Sequence, residues 1–125
     1  MQFVDANNGF ASGYGATFGT TGGCYKTTDG GATWSTAGGI GSLTTGMEFL
    51  SSTVGFIGTG VSASSGTVQK SSDGGGSWIF TFSGNWVHDV STVAPDTVYA
   101  LVGLTSANLR KSTNQRRNYS MTVLP

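Results

Sequence analysis

An eight-residue phrase recurs along the chain. Thr27-Thr28-Asp29-Gly30-Gly31-Ala32-Thr33-Trp34 returns as Ser71-Ser72-Asp73-Gly74-Gly75-Gly76-Ser77-Trp78, and in altered form as Ser112-Thr113-Asn114-Gln115-Arg116-Arg117-Asn118-Tyr119. The aspartate position falls at 29, 73 and 114, a period of about 40–45 residues, which suits a unit of four short strands and their turns. The segments before each phrase align as well. Three units result, 1–45, 46–86 and 87–125.

Within each unit the apolar and β-branched residues gather in four short runs bounded by Gly, Ser, Asn and Asp, the pattern of strands between turns. The first runs are 2–5, 47–50 and 87–90; the second are 9–13, 55–60 and 97–103. The third runs, 24–27, 67–71 and 109–112, lead into the phrase, and the fourth, 33–36, 77–82 and 119–123, leave it. No window has helical periodicity. The expectation is three antiparallel four-stranded meanders within one domain.

The phrase explains itself as a turn. Asp-Gly-Gly between two strands signals a hairpin, because glycine adopts the positive φ that a tight turn requires. The Asp carboxylate and the Ser/Thr hydroxyl suit the backbone N–H groups of such a turn. This structural account of Asp29 and Asp73 leaves little room for a catalytic one. Trp34 and Trp78 follow the turn and are placed to fill space between neighbouring sheets. The third copy lacks both glycines, so a looser, basic hairpin is expected there, with Asn114 and Asn118 tolerating left-handed backbone.

The phrase resembles the Asp-box, or BNR, repeat, Ser/Thr-x-Asp-x-Gly-x-x-Trp. That repeat occurs in sialidases, sortilin-like receptors, some glucanases and photosystem II assembly-factor-like propellers. Thr27, Asp29, Gly31 and Trp34 fill its defining positions, as do Ser71, Asp73, Gly75 and Trp78. The third copy keeps Ser112 but carries Asn114, Arg116 and Tyr119 in place of Asp, Gly and Trp. The resemblance implies an all-β fold of propeller blades, with the phrase on the blade periphery. Three blades do not close a ring, since propellers run from about four to eight blades. The expectation is a six-bladed ring formed by two copies, or else part of a larger propeller.

Composition narrows the function. Net charge is zero and 10% of residues are charged, which argues against nucleic acid, whose phosphates demand a basic stripe. No apolar run reaches the ~20 residues that span a bilayer. The N-terminus has neither the basic nor the apolar region of a signal peptide. Few charges with many Ser, Thr and Gly favour an exported protein. Cys24 is the single cysteine, so it forms no internal disulfide and reads as a small apolar core residue. One His and one Cys give no metal signature, and no Gly-rich run has the context of a phosphate loop. No cofactor is expected.

Catalytic residues are not evident. The resemblance to sialidases would imply three substrate-binding arginines spread over several blades, yet Arg110, Arg116 and Arg117 share one short stretch. Glycosidase chemistry needs two carboxylates flanking the bond, and Asp29 and Asp73 are committed to turns. Asp5, Glu48 and Asp89 fall in first runs, which the resemblance places along the central channel. Asn85-Trp86-Val87-His88-Asp89 stands where the second unit passes to the third, and Trp86, His88 and Asp89 form a candidate ligand-binding cluster. Arg110, Arg116 and Arg117, with Lys111, form a candidate basic patch for an acidic partner. The function expected is a non-catalytic binding or scaffold module with a protein or glycan ligand. A carbohydrate-binding propeller and a fragment of a secreted, sialidase-like glycosidase are the alternatives.

Overall fold

The computed structural model describes residues 1–14, 22–40, 43–62, 64–103, 105–113 and 122–125. Among the described residues twelve strands form three four-stranded antiparallel sheets, and in each the strands neighbour one another in chain order. The first sheet holds β1 (Gln2–Phe3), β2 (Gly9–Tyr14), β3 (Gly22–Thr27) and β4 (Ser35–Gly39). The second holds β5 (Leu43–Phe49), β6 (Gly55–Ser62), β7 (Ser65–Ser71) and β8 (Ile79–Gly84). The third holds β9 (Val87–Ala94), β10 (Thr97–Val102), β11 (Asn108–Ser112) and β12 (Thr122–Val123). Among the described residues there is no helix.

Two boundaries differ from the sequence reading. The second sheet begins at Leu43, inside the stretch assigned to the first unit, because Leu43 and Thr44 already pair with Gly60 and Thr59. The first strand ends at Phe3 rather than Asp5. There the Asp5 carboxylate accepts the backbone N–H groups of Asn7 and Asn8 at 2.9 and 2.8 Å, which bends the chain into a turn. Asp5 therefore caps the turn that follows the first strand.

Register shows how the units correspond. Gly9 pairs with Thr27, Gly55 with Ser71 and Val98 with Ser112. Phe10, Phe56 and Tyr99 are thus equivalent, each paired with the lysine that precedes the Ser/Thr of the phrase: Lys26, Lys70 or Lys111.

The sheets stack face to face. Strands β2 and β3 lie on β5, and β6 and β7 lie on β9. Phe10, Cys24, Ala37, Ile40, Phe49 and Ile57 fill the first seam. Phe56, Val68, Val87, Val90, Val98, Ala100 and Val102 fill the second. The alternation of strand side chains places Phe56 toward the third sheet and Ile57 toward the first. Both are fully buried.

Candidate functional site

The two intact phrases fold alike. Thr27 Oγ1 donates to Asp29 Oδ1 at 2.7 Å and accepts the Gly31 N–H at 2.9 Å. Asp29 in turn accepts the N–H of Thr33 at 2.9 Å and its hydroxyl at 2.5 Å. Ser71, Asp73, Gly75 and Ser77 repeat the pattern at 2.8, 2.8, 2.9 and 2.7 Å. Gly30, Gly31, Gly74 and Gly75 hold positive φ of 70°, 93°, 71° and 87°. Bonds to the hydroxyl and N–H of Thr33 and Ser77 lower both aspartates to a pKa of about 2. Each is an ionised turn anchor. Of the third phrase, Ser112 is buried at the end of β11, while Asn114, Arg116, Arg117 and Tyr119 lie outside the described residues.

The tryptophans behave differently in the two turns. Trp78 donates its indole N–H to the Ala37 carbonyl of the first sheet at 3.3 Å. Trp34 donates to Gly31 of its own turn at 3.1 Å and is 38% exposed.

The Trp86, His88 and Asp89 cluster is split. Trp86 is half-buried, its ring laid over Gly60, where any side chain would collide with it. Its carbonyl accepts the Gly103 N–H at 2.8 Å, and the His88 ring Nε2 bonds the Gly103 carbonyl. Trp86 and His88 therefore share a rim with the loop after β10. His88 is the extra residue of a bulge, because Val87 pairs with Val102 and Asp89 with Leu101. Asp89 accepts the N–H of Val90 at 2.9 Å. It lines a shallow pocket of roughly 130 Å3 with Tyr99, Leu101 and Leu109 on the outer face of the third sheet.

The basic patch is also divided. Arg110 and Lys111 are consecutive in a strand and point to opposite faces. The Arg110 guanidinium lies 5.1 Å over the Phe82 ring of the second sheet. Lys111 lies 5.4 Å over Tyr99 on the outer face. It is the third of a series that sequence reasoning passed over, after Lys26 over Phe10 at 5.7 Å and Lys70 over Phe56 at 5.8 Å.

The chain has six carboxylates, and the fold uses every one. Beyond Asp5, Asp29, Asp73 and Asp89, Glu48 Oε2 accepts the Thr92 N–H at 2.6 Å, and Asp96 pairs with Lys70 at 3.2 Å. Glu48 spans the second seam as Gln2 spans the first, where Gln2 meets both the N–H and the carbonyl of Phe49 at 2.8 and 2.9 Å. Among the described residues no group of three or more His, Cys, Asp or Glu is placed to hold a metal ion. Among the described residues no helix is long and apolar enough to cross a membrane.

Two solved structures share this arrangement. One is YCF48 bound to a D1 peptide, with a TM-score of 0.71, 15% identity and 95% of this chain covered. The other is the GH74 enzyme of Niastella koreensis, with a TM-score of 0.64, 23% identity and 97% of this chain covered. The fold is that of a β-propeller. Each sheet is a blade, with the first strand innermost and the phrase turn joining the two outer strands. The chain spans 38% of the YCF48 chain and 21% of the GH74 chain. No protein-family model and no curated protein matches the sequence.

Proposed function

We propose that this chain is a non-catalytic propeller module that binds an extended segment of a protein partner at the Trp86–His88 rim. The state of the carboxylates carries this reading. Hydrolysis of a glycosidic bond requires two carboxyl groups free to face it, whereas here all six are engaged in the fold. At the rim, by contrast, the flat, half-buried face of Trp86 lies beside the exposed His88 and Asn85. An aromatic surface with hydrogen-bonding groups at its edge suits a peptide backbone and its apolar side chains. The peptide held by YCF48, on a similar fold, supports a protein ligand.

The same reading takes the Thr27 and Ser71 turns as Asp-box repeats, supported by their matching hydrogen bonds, and the working particle as a homo-oligomer.

Parallel peptide and glycan arrays test the binding reading. Peptide binding that disappears in Trp86→Ala and weakens in His88→Ala is expected. Binding to glycans alone would transfer the rim to the lectin reading, and turnover of aryl glycosides would end the non-catalytic one.

A further inference from the structure

We propose that the outer faces of the first and third blades are the two halves of a single seam, which a second copy of this chain completes to form a closed ring of two chains and six blades. This specifies the homo-oligomer of the reading above and involves neither Trp86 nor His88.

The two seams inside the chain follow one rule. The leading blade presents the aromatic of its second strand, covered by the lysine of its third. The following blade presents its inner strand and the turn after it, joined in the first seam by its phrase tryptophan, Trp78. In the first seam Phe10 stacks on Phe49 with ring centroids 3.5 Å apart and planes 2° from parallel. Lys26 passes over Phe10 to the Ser52 carbonyl at 3.5 Å, and Trp78 meets Phe49 edge to face. In the second seam Lys70 passes over Phe56 to Asp96, also in the turn after an inner strand.

Both halves recur on the outer faces. On the third blade, Tyr99 and Lys111 occupy the positions of Phe56 and Lys70, flanked by Leu101 and Leu109 at 39% and 46% exposure. On the first blade, Phe3 pairs with Gly9 as Phe49 pairs with Gly55. Phe3 and Trp34 are 6.1 Å apart at 80°, and Phe49 and Trp78 are 6.1 Å apart at 81°. The receiving geometry is thus preformed on an exposed face, with Phe3 and Tyr25 at 42% and 44% exposure. Charge agrees as well. Lys111 of one copy is directed at the Asp5–Asn8 turn of the other, where Asp5 is exposed and its carboxyl lies below the usual range because it accepts the Asn8 and Asn7 N–H groups.

Docking of Tyr99 onto Phe3 of the second copy, applied twice about a two-fold axis, closes the particle and leaves no outer face. Two copies of these three blades make six, within the range of about four to eight blades that propellers close with.

Sedimentation equilibrium of the whole chain, with circular dichroism as a folding control, tests the seam. A mass of twice 12.8 kDa is expected. Asn7 is equivalent to Thr53 and Asp96 and has an exposed side chain. Lys111→Glu and Asn7→Lys should each weaken the dimer about tenfold or more by placing like charges together, and the double variant should recover it. Trp34→Ala should weaken it without any change of charge, and Trp86→Ala should leave the mass unchanged. A monomer, an open-ended series of oligomers, or a dimer indifferent to Lys111→Glu and Trp34→Ala would overturn the proposal.

Discussion

The indole N–H of Trp78 reaches across the first seam to the carbonyl of Ala37 at 3.3 Å, joining two blades through the residue that ends the repeated phrase. Trp34, at the same place in the preceding phrase, bonds its own turn. The same turn motif thus yields a blade-to-blade link in one copy and a local one in the other. The difference lies in what stands beyond each face.

Gly31 and Gly75 should separate turn strain from seam packing. Both have positive φ, so alanine at either should cost about 1–2 kcal/mol in backbone strain. A Cβ on Gly75 would meet the Ala37 Cβ at 2.8 Å, whereas one on Gly31 would meet nothing nearer than the Phe3 ring at 3.5 Å, an ordinary contact. Gly75→Ala should therefore be worse by a further ~1–3 kcal/mol of overpacking. Urea unfolding of both variants in a Lys111→Glu background, which keeps the chain single, measures the gap.

Acid should unfold the protein through its phrase turns. Asp29 and Asp73 titrate at about 2 when folded, against an ordinary 3.8. The unfolded chain thus takes up protons first as pH falls, and the stabilisation, complete above about pH 4 to 5, declines toward pH 2. Thermal melts should be insensitive to pH near neutrality and drop below pH 4. Asp73→Asn should lower the melting temperature at pH 7 and flatten the acid limb.

Phe49 joins the first two blades by stacking on Phe10 and meeting Trp78, and only 2% of it is exposed. Phe49→Ala should cost about 3–5 kcal/mol, the usual range for a buried aromatic. Chemical denaturation followed by Trp fluorescence would record it, with Trp78 reporting the opened seam.

Cys24 should be inert until the chain unfolds. It is fully buried, and burial pushes its thiol up to about 11, so the thiolate that alkylating agents require is scarce. Iodoacetamide labelling followed by mass spectrometry should give no adduct on the native protein and one adduct in denaturant.

The strands, turns and blade count were legible because they rest on local rules. Glycines at 30, 31, 74 and 75 fix the turns through φ, and Asp29 and Asp73 find their partners within four residues. The lysine series was equally visible, since Lys26, Lys70 and Lys111 each stand one residue before the Ser/Thr of a phrase. It went unread because a lysine in a strand usually signals a solvated edge. The ligand cluster misled for the opposite reason. Trp86, His88 and Asp89 are neighbours in sequence, but Trp86 and His88 bond Gly103 while Asp89 lines the pocket with Tyr99 and Leu101.

Sequence alone determined the repeat, its antiparallel strands and the capped turns, since these depend on backbone conformation and contacts between near neighbours. Only tertiary structure decided which side chains share a seam, because the stacking of sheets brings residues 39 positions apart, Phe10 and Phe49, into ring contact. It also left Phe3, Trp34, Tyr99 and Lys111 matched to one another on opposite outer faces, a complementarity that depends on the register of strands in separate blades.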